Sequence, residues 1–326
     1  MLTRIKIKSL FNVYDYDIDL TNHDGSMVKF ITAPNGYGKT TILDFIESAI
    51  KQSYVKFFMI PFKVFELYYD EVDSDVLYKY SVTREEETTS ASDTDLTQTL
   101  GKKLIIKLYR INDSEEILIE QFFVKQTPDG TFNIEGSDDN INMFFVSHHC
   151  FYLDDQRMLR RKTDVVDEIL KIEDLPITLY PKEMRKMLES PAKIQECEAT
   201  INAFRNIINR CEFANKHLEI DKRFGFRFVA DDELHTILTL DQLSSGEKQM
   251  INQVYELLFQ AQSGTLVMID EPELSLHMMW QMNYLKNLSE IAKLRGFQCI
   301  VATHSPQIFN SLWSKSVDLF TLSNQE

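Results

Sequence analysis

Basic residues are in short supply. Lys and Arg number 35 against 50 Asp and Glu in a chain of 326 residues, a formal net charge of −15 at pH 7. Phosphate contact needs local positive charge, so the general surface is not one that binds nucleic acid, although a local basic patch is left open. Cysteine is scarce as well. Cys150, Cys197, Cys211 and Cys299 are scattered without metal-type spacing, which predicts reduced thiols in a cytoplasm. No apolar run reaches about 18 residues, so no spanning helix and no membrane partner are expected. The opening "MLTRIKIKSL" alternates charged and aliphatic residues like a strand and lacks the apolar core of a signal peptide. Internal repeats are absent. The segment "REEETTSASDTDLTQTLG" (84–101) has almost no apolar content and reads as a mobile surface loop. What remains, 44% hydrophobic and 26% charged, is the composition of an ordinary globular protein. The length suits one large domain or a domain with an insertion.

One further absence raises the functional question. A phosphate-binding loop is written Gly, four residues, Gly-Lys, then Ser or Thr. In "APNGYGKTT" (33–41) the second half is complete as Gly38-Lys39-Thr40, but Ala33 stands where the first glycine belongs. The context fits the motif. "MVKFIT" (27–32) alternates like a strand, and "TILDFIESAI" (41–50) places Ile42, Phe45, Ile46 and Ala49 at helical spacing. Backbone N–H groups of such a loop face a phosphate chain, and Gly36 and Gly38 allow close approach. Lys39 then reaches the β- and γ-phosphates and the Thr40 hydroxyl holds Mg²⁺. A strand–turn–helix with an incidental Gly-Lys pair is the plainer alternative.

Strand patterns run over 3–9, 13–20, 27–32, 62–69, 76–83, 103–111, 116–125 and 142–147. From about residue 155 the period changes. Residues 164–172, 181–189 and 191–222 are charged and helical in pattern, with Pro181 and Pro191 suited to first helical turns. The reading is a discontinuous main domain, 1–155 with 226–326, interrupted by a helical insertion at 156–225. "FGFRFVA" (224–230) and "HTILTL" (235–240) are expected to return to the main sheet. Phe57, Phe58, Phe62 and Phe65 are expected in the core. "SHHC" (147–150) reads as structural, since adjacent side chains on a strand point to opposite faces. "QRMLRRK" (156–162) is a compact basic cluster, either a solvated face or a contact for nucleic acid or acidic protein.

Three later pieces accompany the loop. "TLVMIDEPELSLH" (265–277) is an apolar run ending in Asp270 and Glu271, as a buried parallel strand carrying acids at its C-terminal edge would be. Asp270 is placed to support Mg²⁺ and Glu271 to orient or deprotonate a water. "LSSGEKQ" (243–249) is a serine-glycine turn opening a helix, and "IVATHSP" (300–306) is a second apolar strand ending at His304. Each alone has a plain structural reading. Together, and in this order, they resemble the ABC-type ATPases, including the chromosome-maintenance and break-repair branch.

That resemblance implies an α/β ABC-ATPase head with a mixed parallel core sheet, an antiparallel N-terminal β-subdomain and a helical insertion. It implies ATP and Mg²⁺, with Asn35, Gly36, Tyr37, Gly38, Lys39, Thr40 and Thr41 as the nucleotide-binding residues. Asp270 and Glu271 fall on the magnesium and catalytic acids, and His304 on the histidine that senses the γ-phosphate. Gln156 matches the metal-site glutamine of the lobe-connecting loop. Ser244, Ser245, Gly246 and Glu247 fall on the signature, which meets nucleotide held by a second protomer, so a homodimer or higher homo-oligomer is implied. Phe11 and Asn12 fall near adenine by the same analogy.

A finer resemblance is to the stand-alone ATPase subunits of bacterial anti-phage systems of the Septu and PARIS types, and to the ATPase half of overcoming-lysogenization-defect nucleases. Only residues 307–326 follow "ATHSP", so the expectation is an ATPase that controls a separate effector, a nuclease, with nucleic acid or a phage protein as trigger. The alternative is a DNA-repair ATPase acting directly on DNA; the short insertion speaks against long-reach chromosome ATPases, which need extended heptad arms.

Overall fold

The computed structural model describes residues 1–21, 25–71, 76–86, 102–112, 115–127, 129–153, 191–221, 225–238, 242–274, 276–309 and 313–324. Two compact units emerge, Met1–Tyr152 with Trp313–Glu326, and Leu153–Leu312. Gln156, Pro181, the basic cluster at 156–162 and the helical patterns at 164–172 and 181–189 lie outside the described residues, as does most of the 84–101 segment.

In the first unit β1 (Leu2–Leu10) and β2 (Tyr14–Asp19) form a hairpin. The buried strand β3 (Val28–Thr32) leads through the glycine loop into α1 (Lys39–Ile50) and a short α2 (Val55–Met59). The next strands are β4 (Val64–Asp70), β5 (Leu77–Glu86), β6 (Lys102–Asn112), β7 (Glu115–Gln126) and β8 (Phe132–Glu135). With the hairpin they make a seven-stranded sheet in the order β2-β1-β4-β5-β6-β7-β8, antiparallel at every pairing. Six of the eight expected strand segments lie in this sheet, and a seventh is β3. The core under α1 is aromatic. Phe45 packs on Phe57, Phe62 and Phe65 with ring centroids 4.8, 5.1 and 5.4 Å away. All four phenylalanines expected there (Phe57, Phe58, Phe62 and Phe65) are buried.

The eighth segment is different. Residues 142–147, read as a strand, belong to the helix α3 (Asp139–Val146), followed by β9 (Cys150–Leu153). Ile141 and Phe145, four apart, are its buried face. Its first turn is satisfied from afar: the Glu120 carboxylate on β7 accepts from the Ile141 backbone N–H at 2.9 Å and from Asn140 Nδ2 at 3.2 Å. A carboxylate at a helix N-terminus offsets both orphan donors and dipole, but its position twenty-odd residues upstream hides it from local pattern. Consequently Ser147 to His149 are not strand. His148 stacks on Phe144 with centroids 4.2 Å apart while His149 is exposed; burial pushes the His148 imidazole below its usual pKa.

In the second unit the pattern read as helix over 191–222 ends early. Helix α4 (Pro191–Arg210) is followed by β10 (Lys216–Asp221), β11 (Gly225–Ala230) and β12 (Ile237–Leu238), a three-stranded antiparallel sheet of their own rather than additions to the main sheet. The turn is held by Asn209, whose side chain accepts from Leu218 N–H at 2.7 Å and donates to Leu218 O at 3.1 Å. Glu212 and Asn215 take positive φ values of 49° and 54°, conformations that break a helix.

Next come α5 (Ser245–Tyr255), a π-helical turn at Glu256–Gln260, β13 (Leu266–Asp270), α6 (Met278–Arg295) and β14 (Gln298–Thr303). The strands β13 and β14 are wholly buried and pair in parallel from Leu266–Gln298 to Asp270–Ala302. A parallel pair needs a crossover, and α6 is that crossover. Back in the first unit, β15 (Ser316–Asp318) pairs in parallel with β3, and α7 (Leu319–Ser323) follows. Antiparallel and parallel sheets with covering helices make the α/β class expected. All four cysteines are free thiols, and burial pushes Cys211 up to about 12. Among the described residues no helix is long and apolar enough to cross a membrane.

Candidate functional site

In the first unit, β3 delivers the chain to the loop and α1 takes it away. Gly36 and Gly38 have φ of +91° and +86°, values L side chains rarely adopt, and Gly38 is the residue capping α1. A Cβ on Gly38 would lie 2.8 Å from Leu10 Cδ2 and 3.2 Å from Phe11 Cε2, so the loop is pressed against the β1–β2 turn. That turn is itself strained, with positive φ at Ser9, Phe11 and Asn12. Phe11 therefore touches the loop, through its ring against Gly38.

Lys39 is buried, and its ammonium donates to the carbonyl oxygens of Ala33 at 2.9 Å and Pro34 at 3.3 Å. Pro34, Asn35, Gly36 and Thr40 are exposed, while Tyr37 and Thr41 are half-buried. The Tyr37 carbonyl accepts from the Tyr16 hydroxyl at 2.9 Å, and its ring packs on Tyr14 and Phe320. Positive-φ glycines, a lysine drawn over the loop and the N-terminus of α1 form a cradle suited to a polyphosphate.

In the second unit, Asp270 ends β13 in a buried position. Glu271 follows with φ of +44°, rare for a residue with a branched or long side chain, and its N–H donates to Ala302 O at 2.9 Å on β14. Strain of this kind costs of order 1–3 kcal/mol and persists where the surroundings impose it. Beside it stands His304, half-exposed, with Nδ1 3.7 Å from Glu271 Oε1.

A third acid, which sequence reasoning passed over, is closer. Glu273 is buried, and its Oε1 accepts from Thr303 Oγ1 at 2.7 Å and from the His304 N–H at 2.9 Å, and lies 3.0 Å from His304 Nδ1. Its signal was the second glutamate of "DEPE", set among turn residues.

The signature segment opens α5. Ser244 Oγ accepts from Glu247 N–H at 3.3 Å, and the Glu247 carboxylate accepts from Ser244 N–H at 2.7 Å, a capping box. Ser244 and Ser245 are exposed and Gly246 is half-buried. Glu247 is buried and ion-paired with Lys216 at 3.1 Å.

Among the described residues no group of three or more His, Cys, Asp or Glu is arranged to hold a metal ion. Mg²⁺ does not need one, since it keeps several waters and uses one or two protein oxygens with substrate phosphates. The Thr40 hydroxyl in the first unit is a hard oxygen donor of that class, and so, in the second unit, is the Asp270 carboxylate.

The family profile described as "AAA domain, putative AbiEii toxin, Type IV TA system" matches residues 34–310. A curated relative, the "Retron Ec83 probable ATPase" of Escherichia coli, is 34% identical over 97 residues, spanning 26% of this chain and 18% of that protein. Among solved structures, the chain is similar to the SmcHead bound to the C-winged helix domain of ScpA, 13% identical with a TM-score of 0.48, over 97% of this chain and 93% of the other. The SMC head domain from Thermotoga maritima is 14% identical with a TM-score of 0.44, over 97% and 92%.

Proposed function

Because the chain belongs to the family described as "AAA domain, putative AbiEii toxin, Type IV TA system", we propose that it is an ABC-type ATPase subunit that binds and hydrolyses Mg-ATP. The observation that carries this reading is the loop at 33–41, with Lys39 buried over it and positive φ at Gly36 and Gly38. Asn35 to Thr41 hold the phosphates, with Lys39 supplying the cation and Thr40 and Asp270 the oxygens for Mg²⁺. Mg²⁺ when bound neutralises charge on the phosphate oxygens. Glu271 accepts the proton of the attacking water, and His304 senses the γ-phosphate.

The reading extends to assembly. Ser244, Ser245 and Gly246 meet nucleotide held by a second protomer, giving a homodimer or higher homo-oligomer with composite sites. Exposure of both serines supports this. The assembly controls a separate effector, a nuclease, in anti-phage defence of the Septu or PARIS type, triggered by nucleic acid or a phage protein. The similarity to a retron ATPase supports the defence part.

The test is ATP hydrolysis by the purified protein with and without Mg²⁺, together with its mass distribution in the presence and absence of ATP. Mg²⁺-dependent turnover with ATP-dependent association is expected. A protein that neither binds nor hydrolyses ATP would overturn the reading.

A further inference from the structure

We infer that Glu273 is a positioning residue for His304, holding its imidazole in one orientation with the proton on Nδ1; this rests on the ATPase reading. The Glu273 side chain is only 5% exposed, yet its close polar contacts among the described residues converge on one oxygen. Oε1 takes the Thr303 hydroxyl, the His304 N–H and the approach of His304 Nδ1. Among the described residues the buried Oε2 has no hydrogen-bond partner. Burying a carboxylate in this way is costly unless its charge is offset. Two of the three contacts would be served equally well by the neutral amide oxygen of a glutamine. The third is the one that a charge improves, because a carboxylate facing one imidazole nitrogen favours the tautomer with the proton on that nitrogen.

The alternative partner is too far away. Glu271 Oε1 lies 3.7 Å from the same nitrogen, beyond hydrogen-bonding distance, so Glu273 and not Glu271 orients the ring. The Glu271 carboxylate is thereby not tied to the imidazole. With Nδ1 3.0 Å from Glu273 Oε1, Nε2 is left for other partners on a side chain that is 43% exposed.

The frame around the pair is braced. Thr303 is fully buried and accepts from Ser305 N–H at 3.0 Å. Ser305 Oγ donates to Gln281 Oε1 at 3.0 Å, and Gln281 Nε2 donates to Leu276 O at 3.1 Å. The acidic turn after β13 and the turn after β14 are thus joined through α6 as well as through Glu273. Such bracing fixes the orientation of a functional group whose own contacts are few.

The experiment combines nitrogen-15 spectroscopy of labelled histidines with kinetics. His304 is assigned by the signal lost in His304→Gln. In the parent protein its Nδ1 is expected to carry a proton; in Glu273→Gln the proton is expected to shift toward Nε2, with the melting curve still cooperative. In the same variant kcat should fall about tenfold or more while KM for ATP changes little, the split expected when a partner of a functional histidine is lost. An unprotonated Nδ1 in the parent protein overturns the proposal, and does so even if the variant fails to fold. Unchanged tautomer or unchanged kcat in folded Glu273→Gln overturns it while leaving the ATPase reading intact. If the parent protein does not hydrolyse ATP, that reading fails, and the catalytic part of this proposal fails with it; the tautomer measurement then decides the Glu273–His304 link alone.

Discussion

Lys39 donates to the carbonyl oxygen of Ala33 at 2.9 Å, so the residue standing in place of the loop's first glycine acts through its backbone. Positive φ falls at Gly36 and Gly38 and not at Ala33. No glycine is required at that position, because any residue of ordinary φ presents the same carbonyl. The departure from the motif therefore leaves the lysine anchored where the pattern needs it.

Lys39→Ala removes the side-chain cation of the loop. Loss of a charge-assisted contact costs about 1.5–3 kcal/mol, or roughly ten- to a hundred-fold in affinity. Calorimetric titration with ATP is the check, and an affinity equal to that of the parent protein would remove Lys39 from the site.

The two glycines should not respond alike to an added methyl group. Both would place an L residue at positive φ, at a cost of about 1–2 kcal/mol. At Gly36 the new atom meets nothing within 4 Å among the described residues, whereas at Gly38 it meets Leu10 Cδ2 at 2.8 Å. Gly38→Ala should therefore lower the urea midpoint more than Gly36→Ala and weaken ATP binding more. The reverse order would mean that the loop does not press on the β1–β2 turn.

Local pattern carried most of this far. Seven strands and the four motif segments stand where alternation and spacing put them, because each is decided by neighbours two to four residues away. What could not be read was long-range. The Glu120 carboxylate that caps α3 and the Asn209 side chain that turns α4 into β10 act on segments the local period misassigned. Glu273 escaped for the same reason, since its partners Thr303 and His304 are some thirty residues on along the chain. Glu247 falls on a motif residue and also closes the capping box of α5 and pairs with Lys216, a contact thirty-one residues away that local pattern does not show.

Ser244 has two roles to separate. As the cap of α5, its replacement by alanine should cost about 1 kcal/mol of stability, visible in a denaturant melt. Ser244→Arg adds bulk and charge at the exposed surface, and should spare ATP binding yet reduce both hydrolysis and ATP-dependent association beyond the loss seen in Ser244→Ala. Mixing Lys39→Ala with Ser244→Arg protomers should restore part of the hydrolysis, since one composite site then joins an intact loop to an intact signature. Normal hydrolysis by monomeric Ser244→Arg would exclude the shared site.

The most direct test of the account is Glu271→Gln, which keeps the shape of the strained residue after β13 but cannot accept a proton. ATP should bind with the affinity of the parent protein, while steady-state hydrolysis falls by about a hundredfold or more, the range expected when a general base is lost. Near-normal hydrolysis by this variant, with the parent protein active in the same assay, would contradict the assignment of Glu271 and with it the proposed chemistry.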